Sequence, residues 1–161
     1  MKQNAYNLLN ELKIKYDKVE HPAIFTCEEG REYRAGLDVT FAKNLFIHDK
    51  KKIQYYLVIL PSYKQADLYR LRDILESPTR ISFGSEEDLM EKLGATKGSV
   101  SLLNLSNVEK PDVIVVIDNE FLSKPTIGFH PNVNTETVMF SSSEIPKILE
   151  HKGAEWKRIE F

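Results

Sequence analysis

A lysine stands in the middle of an apolar run, where a charged side chain is least expected. Lys43 lies in the segment Thr40–Ile47, TFAKNLFI, which is typical of a β-strand. Strand alternation places Phe41, Lys43 and Leu45 on one face. A lysine among inward-facing apolar neighbours is costly unless its ammonium has a partner or a task. Two interpretations are open: a functional cation, or a strand-edge lysine whose stem packs while its ammonium reaches water.

Two loops of glycine and small polar residues are the other candidate sites. Residues 128–135 read GFHPNVNT and join two predicted strands, and loops held by strands often carry binding residues. His130 and Asn132 would bind there, or the asparagines only bond their own backbone in a turn. The second loop, Gly98–Ser101, lets backbone N–H groups approach a ligand, or it is an ordinary turn.

Several kinds of active site are absent from the sequence. There is no G-x-x-x-x-G-K-[ST] phosphate loop, no G-x-G-x-x-G dinucleotide fingerprint and no G-x-S-x-G nucleophile elbow. The four histidines are scattered and the chain has one cysteine, so we expect no metal site, no cofactor and no disulfide. Cys27 is either a nucleophile or a small residue in the first turn of a helix.

Length and composition are those of an ordinary globular protein. The 161 residues suit a single domain, 1–161, and the 42% hydrophobic content argues against disorder. The net charge of −2 excludes a generally basic nucleic-acid-binding surface but allows a local patch such as Lys50–Lys52. The N-terminus lacks the apolar core of a signal peptide, and no segment approaches the about 18 apolar residues of a membrane span. We therefore expect a cytoplasmic protein with no membrane partner.

Hydrophobic periodicity predicts short helices and strands without regular βαβ alternation. Helices are predicted over residues 4–14, 26–36, 65–76, 85–94 and 143–153. Strands are predicted over 16–20, 39–47, 53–60, 79–83, 113–117, 125–129, 135–140 and 155–161, with a charged turn at 48–52. Because several neighbouring strands read as hairpins, we expect the α+β class, a mixed sheet with flanking helices.

Together these stretches resemble the YbaK/prolyl-tRNA-synthetase-associated domain family of prolyl-tRNA editing proteins. The resemblance covers essentially the whole chain, and it implies a folded, pseudobarrel-like mixed sheet. Its most specific motifs are KNLF at Lys43–Phe46 and the loop Gly128–Thr135. Looser matches are His21–Thr26, Tyr56–Val58 and Leu93–Ser101.

The resemblance implies a trans-editing aminoacyl-tRNA deacylase, which hydrolyses the ester joining a wrong amino acid to the 3′ end of tRNA. The expected substrate is Ala-tRNA(Pro); the alternatives are Cys- or Ser-tRNA, or an inactive RNA- or protein-binding member. The implied partners are the acceptor end of misacylated tRNA and, as a further candidate, prolyl-tRNA synthetase. The resemblance makes Lys43 and His130 the catalytic residues. The implied substrate-binding residues are Ile24, Thr26, Asn44, Gly98, Ser99, Val100, Ser101, Gly128 and Asn132.

The chain departs from the family in the glycine loop. The family commonly has the pattern Gly-x-x-x-Pro, but here Leu102 stands at the proline position. Lys97 precedes Gly98, where a proline is also frequent. Both differences bear on the rigidity of the loop and on the size of the substrate that it accepts.

Overall fold

The computed structural model describes residues 1–23 and 38–161. Its helices are α1 (Lys2–Glu11), α2 (Leu68–Ile74), α3 (Glu86–Leu93), α4 (Asn119–Ser123) and α5 (Ile145–His151), with 3-10 segments at Leu102–Asn107 and Ser142–Glu144. The strands are β1 (Asp17–Glu20), β2 (Thr40–Asp49), β3 (Tyr55–Pro61), β4 (Ile81–Phe83), β5 (Ile114–Asp118), β6 (Thr126–Phe129), β7 (Glu136–Ser141) and β8 (Glu155–Ile159). The helix predicted over 26–36 lies outside the described residues. Within them, no helix is both long and apolar enough to cross a membrane.

The strands form one mixed sheet in the order β1-β7-β6-β2-β3-β5-β8, with β4 paired to β2. The predicted hairpins give the antiparallel pairs β2–β3 and β6–β7, whereas β2–β6, β3–β5 and β5–β8 are parallel. Thr40 and Phe41 pair with β6, and residues 42–48 pair with β3. Strand β2 therefore joins the two halves of the sheet, and the predicted α+β class with a mixed sheet is confirmed.

Two apolar clusters pack on the strands, and alternation along β2 divides its side chains between them. Phe46 belongs to the larger cluster, which includes buried residues of α1, α5 and the 3-10 helix Leu102–Asn107. Leu45 and Ile47 belong to the smaller cluster, which includes Leu71 of α2. Because successive side chains of a strand point to opposite faces, the register of β2 also decides where Lys43 lies.

The helix bounds follow local signals. The Ser85 side chain accepts a hydrogen bond from the Asp88 N–H, and Gly94 ends α3 in the left-handed conformation with φ of 59°. Both features agree with the predicted start and stop of this helix. Asp67 caps α2 in the same way by accepting from the Arg70 N–H.

The turn between β2 and β3 lies further along the chain than predicted. His48 and Asp49 belong to β2, and Ile53, predicted to begin the next strand, is 78% exposed in the turn. The Asp49 carboxylate accepts the Gln54 N–H at 2.8 Å, and its backbone oxygen accepts the Lys52 N–H at 3.0 Å. Although burial alone raises the pKa of Asp49, hydrogen bonds from backbone N–H groups of the turn, first that of Gln54 and then that of Ile53, lower it. The hydrogen bonds of Asp49 thus hold the turn together, and they explain why the hydrophobic pattern predicted the turn too early in the chain.

The start of the last helix was also predicted wrongly. Ser143 does not cap it, because residues Ser142–Glu144 form a 3-10 turn whose own cap is Ser141. Helix α5 begins only at Ile145, with Pro146 in its first turn, where the missing N–H costs no hydrogen bond. The 3-10 helix Leu102–Asn107 and helix α4 were not predicted.

Candidate active site

A glycine and a phenylalanine lie against each other where β2 meets β6. Phe41 is the register partner of Gly128 in this parallel pair. A Cβ atom at Gly128 would lie 2.8 Å from Phe41 Cδ1 and 3.3 Å from Thr137 Cγ2. The first distance is shorter than real contacts allow, so glycine is needed here for the aromatic ring to cover the strand.

Lys43 follows Phe41 by two residues and therefore lies on the same face of β2. Its side chain is half-buried, and its Nζ donates a hydrogen bond to the backbone oxygen of Lys64, in the turn after β3. Within the part of the chain that the structure describes, no carboxylate pairs with this ammonium. Its positive charge is therefore uncompensated by the described side chains.

His130 comes directly after β6 and is oriented by β7. Its Nδ1 lies 3.0 Å from the backbone oxygen of Glu136. The His130 ring centroid is 6.0 Å from that of His21, whose Nε2 lies 2.8 Å from Thr137 Oγ1. His21, His130, Thr137, Gly128 and Phe41 thus form a group at one place on the sheet, and Lys43 follows on the same face.

Helix α1 anchors the residue that orients His130. Glu136 is 5% exposed, and its carboxylate accepts hydrogen bonds from Tyr6 Oη at 2.5 Å and Lys2 Nζ at 2.7 Å. Burial alone raises the pKa of Glu136, but the hydrogen bonds and charge from Lys2 and Tyr6 lower it. The same contact raises the pKa of Lys2. Glu136 is therefore an ionised group that ties α1 to the start of β7.

The glycine loop uses half of its backbone donors internally. Gly98 has a φ of +89°, and the Ser99 N–H bonds to the Thr96 oxygen at 3.0 Å. The Ser101 N–H donates to Asn104 Oδ1 at 2.7 Å. Among the described residues, the N–H groups of Gly98 and Val100 have no hydrogen-bond partner. If this loop supplies donors to a ligand, Gly98 and Val100 are the residues that supply them.

Asn132 shapes its loop from within. The residue is 4% exposed and has a φ of 64°. Its Nδ2 donates to the Met1 oxygen at 2.7 Å, and its Oδ1 accepts from Asn104 at 2.8 Å and Asn107 at 3.0 Å. Both polar atoms of Asn132 are thus occupied by protein groups.

Asn44 lies on the face of β2 opposite to Lys43, because the two residues are neighbours in a strand. Its Oδ1 is buried and has no hydrogen-bond partner among the residues that the structure describes. Leaving a buried polar atom unpaired costs about 1–3 kcal/mol, so this atom is a candidate ligand contact. The KNLF motif therefore presents its lysine and its asparagine to different sides of the sheet.

By strand alternation and hydrogen bonding, the predicted residues fall into two groups. Lys43, Gly128 and His130 share one face, whereas Ser99, Ser101 and Asn132 are linked through the side chain of Asn104. The loop Gly128–Thr135 connects the groups, since His130 and Asn132 are two residues apart. Ile24, Thr26 and Cys27 lie outside the described residues.

Sequence reasoning missed Phe41, Thr137 and Asn104 as parts of the site. Phe41 and Thr137 lie in strands as ordinary alternating residues, and only the register places them beside Gly128. Asn104 had a weak signal, the spacing Ser101-x-x-Asn104, which resembles a capping box. Among the described residues, no group of three or more His, Cys, Asp or Glu side chains is placed to hold a metal ion.

A family model and two relatives of known name agree on the family of this chain. The family model of the aminoacyl-tRNA editing domain matches residues 21–148. The chain is 37% identical over 160 residues to the prolyl-tRNA editing protein ProX of Acetoanaerobium sticklandii, covering 99% of this chain and 97% of that protein. It is 33% identical to prolyl-tRNA synthetase associated domain-containing protein 1 of Mus musculus, covering 84% and 82%.

A solved structure shares the fold. It is that of a candidate trans-editing enzyme for prolyl-tRNA synthetase, and the two superpose with a TM-score of 0.71. The superposition covers 99% of this chain and 96% of the other at 16% sequence identity. At this identity the likeness concerns the fold alone.

Proposed function

We propose, from the premise that this chain belongs to the aminoacyl-tRNA editing domain family, that it is a trans-editing deacylase acting on Ala-tRNA(Pro). The 161 residues would act as one editing domain in the cytoplasm. Water attacks the ester carbonyl carbon, and the bond from that carbon to the ribose oxygen of the terminal adenosine breaks. The ribose oxygen takes up a proton, and the products are free alanine and uncharged tRNA. The relative named as a prolyl-tRNA editing protein supports this assignment.

The need for such an enzyme follows from the limits of binding selectivity. A synthetase pocket rejects a smaller apolar analogue by only about 1–3 kcal/mol per missing methylene. Alanine therefore enters a pocket built for proline and is attached to the tRNA. A second site that admits alanine and excludes proline removes the error.

The observation that carries the proposal is the half-buried Lys43, whose ammonium has a neutral partner and no described carboxylate. A phosphate of the tRNA 3′ end would supply the missing negative charge. Lysine binds phosphate as a compact point charge, which suits a narrow site. Lys43 would thereby place the terminal adenosine and its ester on the face that also carries His130.

His130 is assigned to the attacking water. Because the Glu136 oxygen can only accept, Nδ1 carries the proton, and Nε2 of the neutral ring accepts a hydrogen bond. An acceptor at this position orients a water molecule and takes its proton as the carbon–oxygen bond forms. Asn44 Oδ1, a buried acceptor without a partner among the described residues, is a further candidate contact for a donor group of the substrate.

Exposed lysines in the turn after β2 are candidates for contacts with the tRNA beyond its 3′ end. In the turn after β2, Lys52 pairs with Asp88 at 2.9 Å, while Lys50 and Lys51 are exposed. These two cations would meet acceptor-stem phosphates, which agrees with a protein that contacts only one end of the tRNA. Prolyl-tRNA synthetase is the further candidate partner, since it generates the misacylated substrate.

A deacylation panel tests the proposed function. Purified protein is incubated separately with Ala-, Cys-, Ser- and Pro-tRNA(Pro), and loss of the labelled amino acid is measured. We expect Ala-tRNA(Pro) to be hydrolysed and Pro-tRNA(Pro) to be spared. Preference for Cys or Ser would assign the enzyme a different substrate. Absence of activity on all four would indicate a binding protein that keeps the fold.

A further inference from the structure

Given the function proposed above, we further propose that the backbone of Val100 binds the aminoacyl group of the substrate. We infer that Asn104 is the positioning residue that holds this backbone in place. The resemblance gives Val100 only as one of several substrate-binding residues, and it gives Asn104 no role. Both proposed roles follow from how one buried side-chain amide bonds to the peptide groups on either side of Val100.

The side-chain amide of Asn104 hydrogen-bonds to the backbone of the loop 98–101, as the backbone of a neighbouring strand would. The residue is fully buried. Its Oδ1 accepts the Ser101 N–H at 2.7 Å, and its Nδ2 donates to the Ser99 oxygen at 3.0 Å. One planar amide therefore satisfies the two peptide groups that flank Val100.

These two bonds fix the direction of the polar groups of Val100. In a planar trans peptide the C=O and the N–H point to opposite sides. Since the Ser99 oxygen points at Asn104, the Val100 N–H points away from it. Since the Ser101 N–H also points at Asn104, the Val100 oxygen points away as well. Val100 thus presents a donor and an acceptor on one side.

This donor and acceptor are available to a ligand. Within the described residues neither the N–H nor the oxygen of Val100 has a hydrogen-bond partner. The residue is half-buried, and its side chain packs against the larger apolar cluster. Partly buried backbone groups are usually hydrogen-bonded. The unpaired N–H and C=O of Val100 lie beside a predicted site, so we call them the binding edge of the loop.

The chemistry of an aminoacyl ester matches this edge. The ester carries an α-ammonium donor and a carbonyl acceptor on adjacent carbons, the same arrangement as one residue of a strand. Two such residues exchange a pair of hydrogen bonds in an antiparallel sheet. The ester carbonyl would accept from the Val100 N–H, and the α-ammonium would donate to the Val100 oxygen. The same N–H then stabilises the negative charge on the carbonyl oxygen during hydrolysis.

Asn104 also connects this edge to the loop of His130. Its Nδ2 donates to Asn132 Oδ1 at 2.8 Å, and Asn132 follows His130 by two residues. A single amide therefore sets the position of the carbonyl-binding edge and of the loop that carries the proposed base. It also restrains a glycine loop that has Leu102 at the proline position of the family.

The first test removes one donor and leaves the side chain intact. Replacing Val100 by its α-hydroxy acid analogue converts the backbone N–H to an ester oxygen. We expect single-turnover hydrolysis of Ala-tRNA(Pro) to slow by about 10²- to 10³-fold, as for loss of one oxyanion donor. The matched control is the same change at Val108, whose N–H bonds to the Leu105 oxygen. Near wild-type hydrolysis by the Val100 analogue would overturn the proposal.

The second test addresses Asn104 with a control of the same residue type in the same 3-10 helix. Asn107 also bonds to Asn132, at 3.0 Å, but to nothing in the loop 98–101. We expect Asn104→Ala to lower the maximal rate at least tenfold more than Asn107→Ala at equal loss of melting temperature. Equal effects of the two substitutions on the rate would mean that Asn104 is only structural.

A binding measurement separates failure of this proposal from failure of the proposed function. The probe is 3′-deoxy-3′-(L-alanylamino)adenosine, which cannot be hydrolysed as an ester, added to isotopically labelled full-length protein. We expect the Val100 amide resonance to shift more than that of Val108. If wild-type protein deacylates Ala-tRNA(Pro) but the Val100 resonance does not move, this proposal is wrong and the function stands. If Val100 responds but no aminoacyl-tRNA is hydrolysed, the proposed reaction is wrong and the binding edge stands.

Discussion

The imidazole Nδ1 of His130 lies 3.0 Å from the backbone oxygen of Glu136, the first residue of β7. The side chain of the same Glu136 is held by Tyr6 and Lys2 from α1. The histidine is thus oriented by a residue that is itself fixed to the N-terminal helix. With Nδ1 as the donor to this oxygen, Nε2 can accept a hydrogen bond when the ring is neutral.

The substitution His130→Asn should distinguish the role of Nδ1, which bonds to the Glu136 oxygen, from that of Nε2, which is proposed to act on the water. The asparagine amide nitrogen can replace Nδ1 as the donor to the Glu136 oxygen, but nothing replaces Nε2. We expect His130→Asn to keep the wild-type melting temperature and to slow single-turnover deacylation by about 10²-fold or more. His130→Gln, which extends toward the Nε2 position, is the comparison. Wild-type rates for His130→Asn would exclude a role for Nε2.

Removing the charge of Glu136 should change how stability depends on pH. Its pKa is lowered in the folded protein, so its contribution is present above the ordinary glutamate pKa and is lost as pH falls through the folded value. Glu136→Gln should therefore cost about 1–3 kcal/mol at pH 7, and less as the pH falls through the lowered pKa of Glu136. Urea unfolding of both proteins at several pH values measures this. A difference that is constant with pH would show that the Glu136 charge is not stabilising.

A methyl group at position 128 should collide with Phe41. The Cβ of Gly128→Ala would lie 2.8 Å from the ring, so we expect a loss of about 1–3 kcal/mol in the free energy of unfolding. A smaller partner should relieve the collision, and Phe41→Leu combined with Gly128→Ala should be more stable than the sum of the single effects predicts. Strict additivity in this double-mutant cycle would contradict the contact.

Deacylation should not require a metal ion or a thiol. Of the four histidines, His21 and His130 lie together, but among the described residues no group of three or more His, Cys, Asp or Glu side chains is placed to hold a metal ion. We expect full activity after dialysis against EDTA and substantial activity in Cys27→Ala. Loss of activity on chelation, restored by added zinc, would contradict the metal-free mechanism. A loss of more than about 100-fold in Cys27→Ala would instead support a nucleophilic cysteine.

The elements predicted well from the sequence are those that local signals define. Helix α3 begins at a serine cap and ends at Gly94, and the β6–β7 hairpin flanks a loop with proline and asparagine. Such signals involve only a few neighbouring residues, so they can be recognised from the sequence. The 3-10 helix Leu102–Asn107 was missed because its run of leucines has no 3.6-residue periodicity.

The site was only partly predictable because its contacts join distant parts of the chain. The pairing of Phe41 with Gly128 and the bond from Asn104 to Asn132 connect residues far apart in sequence. No local sequence pattern encodes contacts of this kind, because they depend on how distant segments meet in the folded chain. The side of the sheet on which Lys43 lies was predictable from alternation, but its partner, the Lys64 oxygen, was not.

Lys43 is the residue on which the account depends most. Alanine at this position removes the ammonium and also the cost of partly burying it, so the protein should stay folded. If the ammonium binds a tRNA phosphate, its loss costs about 2–4 kcal/mol, or roughly 30- to 1000-fold in rate. Lys43→Arg should restore little, because a planar guanidinium does not replace a compact ammonium. Lys157→Ala, an exposed lysine on β8, is the matched control.

The most direct measurement is single-turnover deacylation of Ala-tRNA(Pro) and Pro-tRNA(Pro) by wild-type protein, Lys43→Ala and Lys157→Ala, each with its thermal melting curve. We predict that wild type and Lys157→Ala hydrolyse Ala-tRNA(Pro) and leave Pro-tRNA(Pro) intact. Lys43→Ala should melt as wild type does and lose at least 30-fold in rate. Equal hydrolysis of both tRNAs by wild type, or a folded Lys43→Ala variant with wild-type rates, would contradict the account.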